Sequence, residues 1–170
     1  MEVKIEPARR RDALPTLALH RDVLAEGRWF ISYPEELLGS LDVREHQIRN
    51  LSASDGGCFL VARLPGVQVA GFVMVSVGSL QRTRHVGRLE VMVAAAHRGK
   101  GLGRALVQGA IAIAEASEVL RKLSLTVFAD NHAAIALYRS LGFVPEGRRV
   151  GEYLEADGTP RDDLLMARPM

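Results

Sequence analysis

The chain has 170 residues, 48% of them hydrophobic, which predicts one globular domain spanning residues 1–170. Its formal net charge of +2 is too small to indicate a nucleic-acid partner. Because it has no signal-peptide pattern, no run of 18 apolar residues and only one cysteine, Cys58, we expect a cytoplasmic protein without a membrane partner.

The first third of the sequence predicts one strand and two helices. The strand covers residues 3–6, and the first helix follows Asp12 and ends near Gly27. Its predicted buried face carries Leu14, Leu17, Ala18, Arg21 and Leu24. After an aromatic connecting segment, a second helix is predicted over residues 43–51, with Val43, Ile48 and Leu51 on its apolar side.

The remainder predicts strands that cluster first and then alternate with helices. A hairpin joins strands 58–63 and 69–77 through a turn at residues 64–66. The elements expected after it are a strand at 88–93, a helix at 101–116, a strand at 123–129 and a helix at 132–141. In the tail, residues 147–155 and a turn at 157–158 precede a last strand at 163–168. This order predicts a mixed α+β sheet with helices on its faces.

A glycine-rich loop between strand 88–93 and the next helix is the most informative segment. It contains three glycines and three cations, namely Gly99, Gly101, Gly103, Arg98, Lys100 and Arg104. Glycines allow a ligand to approach the backbone, and a helix N-terminus favours an anion such as a phosphate. The spacing fits neither the P-loop nor the dinucleotide fingerprint, because no Ser or Thr follows Lys100 and the third fingerprint glycine is missing.

The spacing that does fit is R-x-x-G-x-G, with Arg98, Gly101 and Gly103 in the key positions. Downstream, Asn131 follows a strand and precedes A-x-x-L-Y-x-x-L-G-F, which ends at Phe143. Together the two motifs resemble the signatures of the GCN5-related N-acetyltransferases (GNAT family). The resemblance implies the GNAT fold, a mostly antiparallel twisted sheet of about six to seven strands flanked by about four helices. It also implies acetyl-CoA as the acyl donor.

The same resemblance implies which residues bind this donor. The pyrophosphate is expected on the loop, through Arg98, Gly99, Lys100, Gly101, Leu102, Gly103 and Arg104. Met92 and Val93, at the end of the preceding strand, are expected to bond the pantetheine arm and the thioester oxygen through their main chain. Asn131 is expected to contact the CoA arm, and it is also a good helix N-cap.

Two residues are candidates for proton transfer. In the family, a tyrosine at the position of Tyr138 directs its hydroxyl at the CoA sulfur. Glu90 shares a strand face with Arg88 and Met92. It is expected either to hold the substrate ammonium or relay its proton through water, or to form an ion pair with a nearby arginine such as Arg88. The aromatic segment of Trp29, Phe30 and Tyr33 is expected either to line the acceptor pocket or to pack in the core.

The resemblance therefore predicts an N-acetyltransferase that transfers an acetyl group directly from acetyl-CoA to a primary amine. Bacterial members that acetylate amino acids or similar small amines look most similar. Two alternatives stay open: acetylation of protein N-termini or lysines, and a non-catalytic acyl-CoA sensor. The five histidines have no metal-ligand spacing, so no metal is expected. A homodimer is possible, but no motif specifies it.

Overall fold

The computed structural model describes residues 3–37 and 39–170. Within them the chain forms seven strands and four α-helices. In chain order these are β1 (Lys4–Pro7), α1 (Ala13–Ala25), α2 (Leu41–Ala53), β2 (Cys58–Leu64), β3 (Val67–Val77), β4 (Val86–Val93), α3 (Leu102–Glu115), β5 (Lys122–Phe128), α4 (His132–Ser140), β6 (Val144–Leu154) and β7 (Pro160–Pro169). The predicted mixed α+β class, strand number and helix number are confirmed.

All seven strands form one sheet in the order β1-β2-β3-β4-β5-β7-β6. Every neighbouring pair is antiparallel except β4 and β5, which run parallel. The parallel contact is short, because it joins only Val86–Arg88 to Lys122–Ser124. Beyond these three pairs the two strands have no pairing with each other, and a gap opens in the middle of the sheet.

Helices cover the two sheet faces unequally. On one face, Leu89, Val91 and Val93 of β4 pack with α3 and α4 in the larger core. On the other face, Phe72 and Met92 pack with α1 and α2 in a smaller core. Because side chains alternate along a strand, Arg88 and Glu90 lie on the α1/α2 face with Met92.

The buried faces predicted for the first two helices were partly wrong. In α1, Leu14 is 63% exposed, whereas Thr16 is fully buried. In α2, Val43 is 53% exposed, whereas Arg44 is buried. Leucines occur all around α1, so the periodicity of the sequence does not select one face, and packing against the sheet decides which face is buried.

An ion pair with a buried carboxylate adds to the backbone pairing that holds the N-terminal segment on β2. The carboxylate of Asp12 is fully buried and accepts hydrogen bonds from Arg63 at 2.9 Å and from the Arg9 N–H at 2.8 Å. Arg63 also bonds Glu6 across the β1–β2 pair. This network fixes the start of α1 against β2. None of the helices in the described ranges has the length and apolar character required to cross a membrane.

The tight packing at the short β4–β5 contact can be tested by its effect on the free energy of unfolding. Gly87 lies in this contact, and a Cβ added there would be 2.8 Å from a methyl of Leu123 and 2.9 Å from a methyl of Val75. We expect Gly87→Ala to lower the free energy of unfolding by about 1–3 kcal/mol through overpacking. The matched control is Gly147→Ala on β6, where a Cβ meets nothing within 4 Å. Equal unfolding midpoints in denaturant for the two variants would contradict this account.

Candidate active site

The gap between β4 and β5 contains a cavity of about 500 Å³, which we call the first cavity. The ends of both strands line it, and so do the start of α3, α4 and the segment after α1. Its lining includes Leu89, Glu90, Val91, Met92, Val93, Arg98, Gly103, Thr126, Phe128, Asn131, Leu137, Tyr138, Asp163, Trp29 and Phe30. The two sequence motifs, forty residues apart, therefore meet in one cavity.

The main chain of β4 offers free hydrogen-bonding groups to this gap. The N–H of Ala94 donates to the carbonyl of Ala70 on β3 at 3.0 Å. Because bonded and non-bonded residues alternate in an antiparallel pair, Met92 also directs its main-chain groups at β3, whereas Val91 and Val93 direct theirs at the gap. Of the two residues predicted to bind through their main chain, Val93 is thus placed to do so. The Met92 side chain is buried in the smaller core.

The glycine loop only partly lines the first cavity: Arg98 and Gly103 belong to its lining, whereas Gly99, Lys100, Gly101, Leu102 and Arg104 do not. Gly99 and Gly101 have φ angles of +71° and +82°, and a Cβ at either position would meet nothing within 4 Å. These backbone angles favour glycine, and the space beside the loop is open. The helix α3 begins at Leu102, so its first N–H groups have no partner within the helix and are free to bind an anion.

Arg98 connects this loop to other parts of the site. Its Nε donates to the Val93 carbonyl at 2.9 Å, and its two terminal nitrogens bond the carboxylate of Glu26 at 2.5 and 2.7 Å. Glu26, at the end of α1, is therefore ion-paired with the loop. The Val93 carbonyl is already bonded, which leaves its N–H as the group available in the gap.

The other two loop cations also bond to protein groups. Lys100 donates from Nζ to the Ala96 carbonyl at 2.9 Å, and Arg104 donates to the Ser140 hydroxyl at 2.8 Å. Lys100 and Arg104 thus bond neutral groups and add positive charge to the loop, whereas the charge of Arg98 is neutralised by Glu26.

The helix α4 supplies two of the predicted residues. The Asn131 side chain accepts a hydrogen bond from the Ala134 N–H at 3.2 Å, which confirms its predicted role as N-cap. Tyr138 is buried with 8% of its surface exposed, and its hydroxyl has no hydrogen-bond partner among the described residues. Burial and the nearby Glu90 raise the pKa of Tyr138 to about 12. The phenol therefore stays protonated and can donate.

Glu90 lines the cavity from β4, and its carboxylate has no hydrogen bond or ion pair with the described residues. The ion pair with Arg88 that the sequence left open does not form. Burial raises the pKa of Glu90 above its ordinary value, and the positive charge of Arg44 opposes this shift only in part. A carboxylate of this kind can accept a proton from a substrate ammonium.

Arg44 is buried, and none of the described residues provides it with a carboxylate partner. Its guanidinium donates to His20 Nδ1 at 2.7 Å and lies 5.4 Å from the centre of the Phe72 ring. Burial and the charge of Arg44 lower the pKa of His20 to about 4, so the imidazole is neutral and accepts this bond. The charge of Arg44 is therefore balanced by no ion pair, and it acts on Glu90 through space.

The aromatic segment is only partly at the site. Trp29 and Phe30 line the first cavity, and Phe30 also packs against the smaller core, so both interpretations of the sequence apply to it. Tyr33 is not part of the lining. It precedes a 3-10 turn at Pro34–Glu36, and this turn leaves its side chain 41% exposed.

Sequence reasoning missed Arg161, which holds the aromatic segment in place. Its guanidinium lies 3.6 Å from the centre of the Phe128 ring and 5.6 Å from that of Trp29. It also donates to the Arg28 carbonyl at 2.8 Å and to Asp130 at 2.9 Å. No local motif marks such a residue, because its partners are up to 133 positions away in the sequence.

Thr126 and Asp163 were also missed as lining residues. Thr126 lies on the gap-facing strand β5, and Asp163 is the β7 partner of Phe128. Asp163 is buried and pairs with Arg149 at 2.5 Å. The sequence predicted β5 as a strand, but it gave no sign that β5 separates from β4. Among the described residues, no group of three or more His, Cys, Asp or Glu side chains could hold a metal ion.

Comparison with known proteins identifies similar chains. The model of the acetyltransferase (GNAT) family matches residues 22–143. The L-amino acid N-acetyltransferase AaaT of Escherichia coli (strain K12) is 32% identical over 103 residues, which are 57% of this chain and 63% of the relative. The aligned segment thus spans less than two thirds of that curated relative.

Two solved structures match nearly the whole chain. A GNAT-family acetyltransferase from Streptococcus pneumoniae has a TM-score of 0.94 and 31% identity, covering 99% of this chain and 100% of its own. A ribosomal-protein-alanine N-acetyltransferase from Brucella melitensis has a TM-score of 0.85 and 30% identity, covering 98% and 99%. The first match confirms that the fold is that of the GNAT acetyltransferases.

The buried carboxylate of Glu90 predicts a pH-dependent stability effect. Because the pKa of Glu90 is raised in the folded state, folding favours its neutral form. The stability that this preference adds is fully present below the pKa of the unfolded chain and is lost as pH rises through the pKa of the folded protein. We expect Glu90→Gln to melt at a higher temperature than the parent at pH 8, with the difference vanishing near pH 4. The control is Glu118→Gln, an exposed residue. A lower melting temperature of Glu90→Gln at pH 8 would refute the assignment.

Proposed function

The chain belongs to the acetyltransferase (GNAT) family, and we propose that it transfers the acetyl group of acetyl-CoA to the primary amine of a small molecule, an amino acid or a related amino compound. The observation that carries this proposal is the first cavity. There, an unpaired carboxylate, a protonated tyrosine hydroxyl and free backbone groups of β4 lie in one gap beside a phosphate-binding type of loop.

The residues of this site fit acetyl-CoA by their chemistry. The positive-φ glycines Gly99 and Gly101, with open space beside them, and the N-terminus of α3 suit a pyrophosphate. The gap-facing main-chain groups of Val91 and Val93 suit the amides of an extended pantetheine arm. The free N–H of Val93 is the donor that we assign to the thioester oxygen, which gains negative charge as the reaction proceeds.

Acetyl transfer requires one bond to form and one to break. The neutral amine nitrogen attacks the thioester carbonyl carbon, the C–N bond forms, the C–S bond breaks, and CoA leaves as a thiolate. Before attack the ammonium must lose a proton, and we assign its acceptance to Glu90, directly or through water. The raised pKa of Glu90 makes its carboxylate a better base than an exposed glutamate.

Tyr138 stabilises the departing sulfur as a hydrogen-bond donor. Its pKa of about 12 lies well above that of a free thiol, roughly 8.5. Full proton transfer from the phenol to the thiolate would therefore cost about 5 kcal/mol. A hydrogen bond from the hydroxyl requires no such transfer, and the proton that finally neutralises the thiolate comes from the amine by way of solvent or Glu90.

A second candidate function is acetylation of protein N-termini. The similarity to the Brucella melitensis ribosomal-protein-alanine N-acetyltransferase, at 30% identity over nearly the full chain, favours it. A non-catalytic acyl-CoA sensor is the third candidate. The free hydroxyl of Tyr138 argues against a sensor, since binding alone does not need a donor at the leaving group. We also propose a cytoplasmic location, supported by the single cysteine, Cys58, whose buried thiol cannot form an internal disulfide.

An acceptor panel tests the proposed function. Release of free thiol from acetyl-CoA is measured with L-amino acids, polyamines and N-terminal peptides of ribosomal proteins, each under matched conditions. We expect turnover with free amino acids to exceed turnover with peptides and polyamines. Turnover with peptides alone would favour the second candidate. Tight CoA binding without any turnover would favour the sensor.

Substitution of Tyr138 tests the assignment of the leaving-group donor. We expect Tyr138→Phe to lower kcat by about tenfold or more, because a donor present in the transition state is lost. The KM for acetyl-CoA should change much less, since the phenyl ring remains. The matched control is Tyr153→Phe, which removes the same atom outside the first cavity. An unchanged kcat in Tyr138→Phe would remove this residue from the mechanism.

A further inference from the structure

A second cavity of about 670 Å³ adjoins the first. It lies on the α1/α2 face of the sheet and is lined by residues of α2 and of the strands β3, β4, β5, β6 and β7. The two cavities share three lining residues, Leu89, Glu90 and Thr126. A molecule in the second cavity therefore reaches the same carboxylate that faces the gap between β4 and β5.

Most charges around the second cavity are paired with each other. Lys122 contacts Glu146 at 2.6 Å, and Arg149 contacts Asp163 at 2.5 Å. Arg88 also lines this cavity, but its exposed guanidinium has no ion pair or hydrogen bond with the described residues. The cavity thus presents one unpaired cation, Arg88, and one unpaired carboxylate, that of Glu90.

These two charges have a defined spacing. Arg88 and Glu90 are two positions apart on β4, on the same face, so their Cα atoms are roughly 7 Å apart. The side chains do not bond each other, although a strand places them on the same side. Both charged groups therefore line the same cavity without neutralising each other.

A zwitterion matches this arrangement. In an α-amino acid, the ammonium and the carboxylate are attached to the same carbon atom, so one small molecule can reach both charges. A guanidinium binds a carboxylate with two parallel hydrogen bonds, which fixes its orientation as well as its position. With the carboxylate on Arg88, the amine is directed at Glu90 and at the gap.

We propose that the second cavity binds the acceptor as a zwitterionic α-amino acid, with Arg88 holding its carboxylate and Glu90 facing its ammonium. This inference rests on the proposed function and narrows its substrate class. Amines without a neighbouring carboxylate, such as amino-acid amides, polyamines and peptide N-termini, leave Arg88 without its partner. They are therefore poor acceptors.

The test takes the L-amino acid that the parent protein acetylates best and compares it with its own α-carboxamide as acceptor. The two acceptors have the same side chain and amine and differ in the carboxylate charge. We expect Arg88→Gln to lower kcat/KM for the acid by about 10- to 100-fold, the loss expected for hydrogen bonds between charged groups. Its kcat/KM for the amide should change less than about threefold, and Arg88→Lys should lie between parent and Arg88→Gln for the acid.

Arg84→Gln is the matched control, because Arg84 is exposed in the β3–β4 connection and lines neither cavity. The inference is overturned if the parent uses acid and amide equally well, or if Arg88→Gln affects both acceptors equally. In either case the proposed function stands, because an amine is still acetylated. If the parent acetylates no amine at all, both the proposed function and this inference fail.

Discussion

The separation of β4 and β5 after three residue pairs is the constraint on which the rest of the site depends. In a continuous sheet the main-chain groups of both strands would bond each other, and no ligand could pass between them. Here the groups of β4 that face the gap must find partners elsewhere, because unpaired polar groups are costly to bury. Arg98 bonds the Val93 carbonyl, and the remaining gap-facing groups can bond water or a ligand with amides of its own. The gap therefore suits the long, amide-containing donor that we propose.

The pKa of Glu90 depends on how Arg44 is held. An arginine in direct contact with the carboxylate would lower its pKa. Arg44 instead donates to the neutral imidazole of His20 and stacks near Phe72, so its charge acts on Glu90 only from a distance. Burial then dominates and the pKa of Glu90 rises. The absence of a direct partner leaves the carboxylate free to accept a proton.

The sequence predicted those parts of the site that depend on local backbone conformation. The glycine loop, the Asn131 cap and the position of Tyr138 depend on short-range patterns, and the structure brings them to one cavity. The contacts of Arg161 and Arg149 could not be predicted, because they depend on which strands become neighbours and where two of them separate. Tyr33 illustrates the same limit, because the three-residue turn that follows it places its side chain outside the lining of the first cavity.

In the reaction that we propose, the two sides of the site are built from different kinds of contact. The donor would be held mainly by backbone groups and glycine angles, which depend little on side-chain identity. The acceptor would be held by side chains: Trp29 at the wall, Arg161 behind it, and Arg88 and Glu90 on β4. Arg161 bonds Asp130, next to the Asn131 cap, so the wall of the acceptor side is attached to the element that carries Tyr138. Arg88 and Glu90 bond no described residue of the glycine loop, so a change of side chain at these two positions of β4 breaks no contact of that loop.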